Sequence, residues 1–411
     1  MKNLVKRFIK YAKINTQSSE DEKNMPSNKN ELELARIIAN ELETLGLKPE
    51  IDKHGYLYCK IPGNIEDAPP IGFISHLDTA PDAPGENVQP SIIEKYDGKD
   101  IVLNKKKHIV LKVEEFPCIQ AYKGQDIIVT DGTTLLGADD KAGIAEIVTA
   151  IEYIISHPEI KHGDIMIAFT PDEEIGRGMD KFDIKKFNVD YAYTIDGEAI
   201  GSFEYENFNA ATAYYKITGS SIHPGFAKNK MKNAIKIGME LLSLLPCNKS
   251  PEFTSGYEGF FHIHNFNGTV DYAEIRLLIR SFFKEEFESM KSGIKENALF
   301  INKKYGKTTV RYELKDSYYN MKEIVDLYPE VVRIPISVMK SVGIQPKVEP
   351  IRGGTDGARL SFMGIPTPNI FTGGHNAHSI FEYIPIPSME KAVEVIIGII
   401  KEFTNFEKYA E

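Results

Sequence analysis

Apolar and polar residues recur with two different periods along the first half of the chain. Segments in which apolar residues return every three to four positions predict helices, and short apolar runs bounded by polar residues predict buried strands. Their alternation predicts an α/β layer with a mixed, mostly parallel sheet flanked by helices. The predicted helices cover 31–46 and 142–156, and the predicted strands include IGFIS at 71–75, DIMIAFT at 164–170 and YAYTID at 191–196.

The pattern changes from about residue 207. The segments then follow the order strand, helix, strand, strand, helix, strand, which is a self-contained split βαβ unit. The α/β pattern resumes in EIVDLYPEVVRIPISVMKSVG and KVEPI. We therefore predict an inserted domain over 207–320 and a discontinuous main domain formed by 1–206 and 321–411.

The N-terminus predicts an amphipathic helix without the uninterrupted apolar region of a signal peptide. A surface helix that packs one face on the core is the simpler interpretation, and a basic helix lying on a membrane is the alternative. No apolar run approaches the roughly 20 residues needed to cross a bilayer. The apolar positions are Leu4, Val5, Phe8, Ile9 and Ala12.

The amino-acid composition indicates a folded, soluble protein and disfavours some partners. The 411 residues are 42% apolar and 26% charged, which is typical of folded soluble proteins with more than one domain. The 49 Lys and Arg against 59 Asp and Glu give a net charge of −10, which disfavours nucleic acid as a partner. Cys59, Cys118 and Cys247 are odd in number and far apart, so we expect a cytoplasmic protein without disulfides.

Acidic and histidine residues follow the predicted strands. HLDTAPD places His76 and Asp78 on one side of an extended chain, although H-x-D alone is equally compatible with a surface turn. GADDKAG places Asp139 and Asp140 after an apolar segment read as a strand and before a helix. There the alternative is Asp140 as an N-cap with Asp139 solvated.

Three further segments add to the pattern. TPDEEIGRG supplies a run of three acids, YAYTIDGE supplies Asp196, and FTGGHNAHSIFE supplies His375 and His378. A solvated acidic loop would explain the first segment alone, but adjacent carboxylates repel one another unless a cation neutralises them. The convergence of five such positions therefore predicts a metal site. The three acids in TPDEEIGRG are Asp172, Glu173 and Glu174.

The donor types indicate the metal. Nitrogen and oxygen donors without thiolates suit zinc, cobalt or manganese. The excess of carboxylates suits two metals that share one of them and activate a water, with a further carboxylate as the base.

The motifs HLDT, GADDKAG, TPDEEIGRG, IDGE, GSSIHPG, RGGTDGARLSFMG and IFTGGHNAH resemble those of the peptidase T family, which belongs to the co-catalytic zinc aminoacylase and carboxypeptidase superfamily. The resemblance extends over essentially the whole chain in the same order. It implies a zinc-dependent aminopeptidase that releases the N-terminal residue from tripeptides. Two zinc ions per chain, a short peptide substrate and a homodimer are implied with it.

The resemblance also assigns roles to the residues that match the motifs. Asp139 would bridge the two zinc ions, Glu173 would be the general base for a zinc-bridging hydroxide, and Asp78 would orient His76. The remaining ligands would be His76 and Asp196 on one zinc ion and Glu174 and His378 on the other.

In the family, the inserted unit is a lid and dimerisation domain. The histidine of its HPG turn, His223 here, would stabilise the tetrahedral intermediate after closure. Arg280 and Arg352 resemble residues that contact a peptide carboxylate, and a structural ion pair is the alternative for each.

One loop departs from the family pattern. After His378 the chain reads Ser379, Ile380, Phe381, Glu382, Tyr383 in place of G-(K/R)-(H/Y)-E-F. His375, three residues before His378, is interpreted as a loop residue outside the ligand set.

Two alternatives to a tripeptide aminopeptidase stay open. One is a related two-zinc dipeptidase, carboxypeptidase or aminoacylase, since only the pocket distinguishes them. The other is a catalytically silent dimeric binding protein.

Overall fold

The structure is a computed structural model that describes residues 3–410. The described residues form two compact units. The first unit runs through Tyr205 and resumes at Met321–Glu349 and from Thr355 onward, and the second comprises Glu206–Asn320 and Pro350–Gly354. The short segment Pro350–Gly354, which the sequence-based boundaries left in the main domain, therefore groups with the inserted unit.

A mixed sheet of eight strands forms the centre of the first unit. The strand Ile71–His76 pairs in parallel with both of its neighbours, and antiparallel pairs lie toward the edges. The predicted α/β fold with a mixed, mostly parallel sheet is confirmed. In order across the sheet the strands are Glu50–Ile51, Leu57–Ile61, Ile165–Thr170, Ile71–His76, Tyr191–Gly197, Asn369–Phe371, Ser202–Glu204 and Lys347–Val348.

The central strands are rich in apolar residues, which become buried when helices cover the sheet. All residues of Ile71–His76 are buried, as expected for a parallel strand covered on both faces. The helix Ala138–Ser156 packs on this strand and on Tyr191–Gly197. The other helices of the first unit are Leu4–Ala12, Lys29–Thr44, Ile184–Phe187, Lys322–Val325, Glu330–Ser341, Asp356–Phe362, Ile386–Glu402 and Glu407–Ala410.

The structure adds detail to one segment, and one element differs from the sequence-based prediction. The segment 323–343 forms two helices, Lys322–Val325 and Glu330–Ser341, because Pro329 precedes the second and disfavours a helical residue before it. The apolar segment before Asp139 is not a strand. The backbone amide groups there donate to a side chain, Glu382, instead of to a neighbouring strand.

Smaller elements complete the first unit. The strands Ser91–Ile93, Ile127–Val129 and Tyr383–Pro385 form one antiparallel sheet, and Ile101–Asn104 pairs with Ile109–Leu111. Among the described residues, no helix is both long and apolar enough to cross a bilayer.

The second unit is an antiparallel sheet with two longer helices, Ala234–Leu242 and Lys284–Tyr305. Its entry and exit lie side by side, since the Asn207 backbone amide donates to the Asn320 side chain at 3.2 Å. Its proposed roles as a lid and a dimer surface stay predictions. Across the sheet the strands are Phe260–Gly268, Tyr272–Ser281, Asn209–Thr218 and Val310–Tyr318.

Candidate metal centre

Two groups of potential metal ligands lie at one edge of the central sheet. In the first, ligand atoms of His76, Asp139 and Asp196 lie within 4.8 Å of one another. His76 Nε2 is 2.9 Å from Asp139 Oδ1 and 3.4 Å from Asp196 Oδ1.

The second group also contains Asp139 and adds Glu174 and His378. His378 Nε2 is 2.9 Å from Glu174 Oε2 and 3.4 Å from Asp139 Oδ2. Asp139 therefore presents one carboxylate oxygen to each group. The structure thus brings together all five residues assigned as ligands by the resemblance.

The parallel strands explain why distant residues meet here. His76 is the last residue of Ile71–His76, and Asp196 is near the end of Tyr191–Gly197, the next strand in the sheet. Glu174 lies in the turn after Ile165–Thr170. Because parallel strands end at the same edge, the loops that follow them converge.

The electrostatics of the two groups are unfavourable without a cation. Burial raises the pKa of Glu174 to about 8 and that of Asp196 to about 6, and the neighbouring charge of Asp139 contributes to both shifts. Burial alone would lower the pKa of His76, but Asp196, Asp139 and Asp78 together raise it. Hydrogen bonds with Asp139 and Glu174 raise the pKa of His378 to about 11.

The donor set fits two divalent cations that share Asp139. Each group offers one imidazole nitrogen and two carboxylates, and neither contains a thiolate. Glu174 Oε1 is buried without a hydrogen-bond partner, although buried polar atoms usually have one. A bound cation would satisfy this oxygen and offset the repulsion among the carboxylates.

Asp78 organises the loop that carries the adjacent glutamates. It is fully buried, and its two oxygens accept the backbone amides of Glu173 and Glu174 at 2.9 and 3.1 Å. Asp78 Oδ1 also lies 3.3 Å from His76 Nδ1. The side chain thus contacts the turn of one ligand and the imidazole of another.

Glu173 differs from its neighbour because it belongs to neither ligand group. It is partly exposed beside them. Burial raises its pKa well above the usual value, and Asp356 and Asp196 add to the shift.

Asp140 forms hydrogen bonds with the strand that carries His76. Its carboxylate accepts the Ser75 hydroxyl and the His76 backbone amide, the latter at 3.1 Å. The helix N-cap is Gly137, without a side-chain cap. The alternative interpretation, with Asp140 as the cap and Asp139 solvated, is therefore wrong.

His375 lies outside both ligand groups. Its Nε2 is 2.6 Å from the Tyr122 hydroxyl, and its ring stacks on Tyr383 with centroids 4.7 Å apart. Burial lowers its pKa to about 4, so the ring stays neutral near pH 7.

Sequence reasoning missed several residues that hold the ligand loops. Asp172 is fully buried and accepts the Ser27 backbone amide, while Glu31 accepts the Asp172 amide. The N-x-x-E spacing from Asn28 to Glu31 signals a capping box, and the structure contains it. No local pattern signals the contact of that helix end with Asp172.

Glu382 is the other missed residue. It is buried and accepts backbone amides of the loop that carries Asp139. Its place four residues after His378 was visible in the motif, but its hydrogen-bond partners are more than 240 residues away in sequence.

The three remaining predicted residues lie in the second unit. His223 is exposed, and its Nδ1 accepts the Gly225 amide at 3.2 Å. Arg280 donates to the carbonyl of Ile279 and lies over the Tyr318 ring. Arg352 donates to the carbonyls of Gly256 and Glu258 and to the Thr254 hydroxyl. Their functional roles stay predictions.

Comparison with known proteins places this geometry in a family. Residues 129–402 match the sequence model of a family described as Peptidase family M20/M25/M40. The chain is 56% identical over 403 residues to a protein named peptidase T from Caldanaerobacter subterraneus subsp. tengcongensis, and the match covers 98% of each chain.

Solved structures share the fold. The aminopeptidase PepT from Bacillus cereus superposes with a TM-score of 0.78 at 26% identity, covering 98% of both chains. A Bacillus subtilis protein described as a dinuclear metal-binding M20 peptidase has a TM-score of 0.67 at 16% identity, covering 99% of this chain and 98% of that one. The predicted resemblance is confirmed, and the chain belongs to the peptidase T family within Peptidase family M20/M25/M40.

Proposed function

We propose that this peptidase is a two-zinc aminopeptidase that removes the N-terminal residue from tripeptides. The observation that carries the proposal is the pair of ligand groups that share Asp139, with Glu173 beside them and outside both. The names of the relatives, peptidase T and aminopeptidase PepT, support the peptide substrate and the end at which it is cut. Cobalt or manganese would suit the same donors.

When bound, two divalent cations would supply Lewis acidity that polarises a peptide carbonyl and lowers the pKa of a water. The ligands would be His76 and Asp196 on one side and Glu174 and His378 on the other. Glu173 would accept the proton of the attacking water and return it to the leaving amine. Asp78 would keep Glu173 in reach, because it holds the backbone amide of that residue.

The cleft beside the first group supports action at a free N-terminus. Its lining includes five carboxylates. Asp139 and Asp196 are assigned to the cations, and the Asp140 and Glu382 carboxylates accept hydrogen bonds. The exposed Glu198 is therefore the carboxylate of this lining that would attract the α-ammonium group of an unblocked peptide. The carboxylates are Asp139, Asp140, Asp196, Glu198 and Glu382.

The second unit would supply the remaining groups. Because Nδ1 of His223 accepts the Gly225 amide, its proton lies on Nε2, which is available to donate to a developing oxyanion. Arg280 and Arg352 would pair with the peptide carboxylate. Arg352 makes three hydrogen bonds within its unit and Arg280 makes two, so we expect Arg280 to contribute more.

A homodimer through the second unit, in a cytoplasmic protein, completes the proposal. Its sheet ends in the strands Phe260–Gly268 and Val310–Tyr318, each of which pairs with one neighbouring strand of the sheet. Such an edge can pair with a second copy of the chain. Light scattering coupled to gel filtration would give twice the chain mass if the dimer forms.

The test combines metal analysis with three substrates. Purified protein is assayed for zinc, cobalt and manganese and then incubated with a free tripeptide, an N-blocked tripeptide and a dipeptide. Two metal ions per chain and release of the N-terminal residue from the free tripeptide alone would support the proposal. Preference for the blocked peptide would assign the chain to the aminoacylase or carboxypeptidase branch. A metal-free protein without hydrolysis would favour a binding protein.

A further inference from the structure

The loop 136–139 is held by a single buried carboxylate. Glu382 is 2% exposed, and its Oε2 accepts the backbone amides of Leu136 and Gly137 at 2.6 and 2.7 Å. Its Oε1 accepts the Asp139 amide at 3.0 Å. Three amide groups of one short loop therefore converge on one side chain.

Regular secondary structure does not fix this loop. Its residues before Ala138 lie outside the strands and helices, and Gly137 has a left-handed φ of 76°. Asp139 and Asp140 have non-helical backbone angles although they begin the helix Ala138–Ser156. Buried amide groups need acceptors, and here Glu382 provides them.

We propose that Glu382 is a positioning residue that fixes the shared ligand Asp139 for both cations, and this inference rests on the proposed two-metal function. The reason is geometric, because Asp139 must present one oxygen to each ligand group at the same time. A rotation of its backbone would displace both oxygens together. Residues that orient metal ligands in this way commonly affect metal affinity about 10–100-fold.

The same segment also carries a ligand of the second group. The Glu382 amide donates to the Ser379 carbonyl at 3.2 Å, and the backbones of His375 and Tyr383 pair at 2.9 and 3.1 Å. These contacts fix the turn between His378 and Glu382. The segment therefore contributes one ligand directly and a second ligand through the loop 136–139.

This arrangement allows the positioning role to be measured separately. The first ligand group, His76, Asp139 and Asp196, contains no residue from the segment 375–383. In a His378→Ala protein, one ligand of the second group is gone and the first group is intact. Any effect of Glu382 on the remaining strong site then acts through the position of Asp139 or through the charge of Glu382, and Glu382→Asp, which keeps the charge, distinguishes the two.

Glu382→Gln is the informative substitution. The amide keeps the size of the side chain but has only one acceptor oxygen, and its NH2 group faces backbone donors. At least one of the three hydrogen bonds is therefore lost. Glu146→Gln is the matched control, because Glu146 is fully buried on the helix Ala138–Ser156 and its carboxylate has no hydrogen-bond partner.

The experiment compares His378→Ala, His378→Ala/Glu382→Gln and His378→Ala/Glu146→Gln by titration with Co²⁺ against a competing chelator. The visible cobalt spectrum reports the coordination of the remaining site. We expect about 10–100-fold weaker cobalt binding and a shifted spectrum only with Glu382→Gln. Thermal unfolding of the metal-free proteins provides the second readout.

Equal cobalt affinity in all three proteins would overturn the inference. So would a lower melting temperature of the metal-free Glu382→Gln protein with unchanged affinity, since that result describes a structural role alone. If the Gln protein does not fold, Glu382→Asp, which keeps both oxygens on a shorter side chain, is expected to show the same weakening to a smaller degree. Equal affinity of that protein and His378→Ala would overturn the inference.

Failure of the proposed function has a different signature. If a His76→Ala/His378→Ala protein still bound two metal ions as the parent does, the metal centre itself would be assigned wrongly. In that case the inference about Glu382 would fall with it. Loss of both ions there, with no effect of Glu382→Gln, would refute the positioning role only.

Discussion

Glu173 and Glu174 are neighbours in sequence but differ in their surroundings. Glu174 Oε2 lies 2.9 Å from His378 Nε2, within a ligand group, whereas Glu173 belongs to neither group. Successive residues of a turn can point in different directions, and Asp78 fixes the two directions by accepting both amides. The sequence could show that both residues were acidic and follow a strand. Only the family resemblance could indicate which one was the ligand.

This difference gives a prediction for Glu173→Gln. We expect the variant to keep its metal ions and to lose about 10²–10⁴-fold in kcat, the range typical of general acid-base catalysis. Metal content and tripeptide turnover are the two measurements. Glu174→Gln is the comparison, and it should lose metal. Parental activity in Glu173→Gln would show that another group accepts the proton.

At the scale of elements, the periodic pattern predicted the helices and strands well, and the errors have local causes. The N-terminal helix is observed at Leu4–Ala12, but its buried face includes Arg7, whereas Val5 and Ile9 are only partly buried. A charged residue does not contribute to an apolar stripe, so the sequence pattern did not place Arg7 on the buried face of this helix. Arg7 is buried because the helix Lys29–Thr44 and the helix Ala138–Ser156 provide acceptors for it.

The contacts of Arg7 predict a measurable contribution to stability. Its guanidinium lies 2.9 Å from Glu41 and 3.0 Å from Glu152 and donates to Thr149 at 2.6 Å. We expect Arg7→Met to lower the free energy of unfolding by about 1–3 kcal/mol, because charged groups lose buried partners.

Urea unfolding measures this difference, and Lys10→Met is the control. Lys10 pairs with the same Glu41 at 2.6 Å, but its side chain is 51% exposed. Exposed ion pairs contribute less than ~1 kcal/mol, so the control should change stability little. Equal losses in both variants would show that burial of Arg7 does not strengthen its interactions.

At the scale of the whole molecule, the order of elements predicted an α/β layer with an insertion. Neither periodicity nor motif spacing could predict the contacts that join the N-terminal segment to the ligand loops. The Lys141 ammonium donates to the Ile14 carbonyl at 2.7 Å, and Arg177 donates to the carbonyls of Glu22 and Asn24. These contacts depend on tertiary packing, because their partners are more than 120 residues apart.

The division into two units gives a prediction for His223. The five proposed metal ligands belong to the first unit and His223 to the second. We therefore expect His223→Ala to keep its metal content and melting temperature and to lose about 10²–10³-fold in kcat, as for an oxyanion donor. His264→Ala, at another exposed position of the second unit, is the control. Unchanged kcat in His223→Ala would remove this histidine from the proposed mechanism.

The strand order in the central sheet also bears on how the protein is made. Tyr191–Gly197, which carries Asp196, lies between Ile71–His76 and Asn369–Phe371. While the ribosome synthesises the second unit, that strand has an unpaired edge toward its missing neighbour, which is a site for mispairing with other chains. His378 emerges later still. A nascent chain therefore cannot hold the complete proposed ligand set until the segment that carries His378 has emerged.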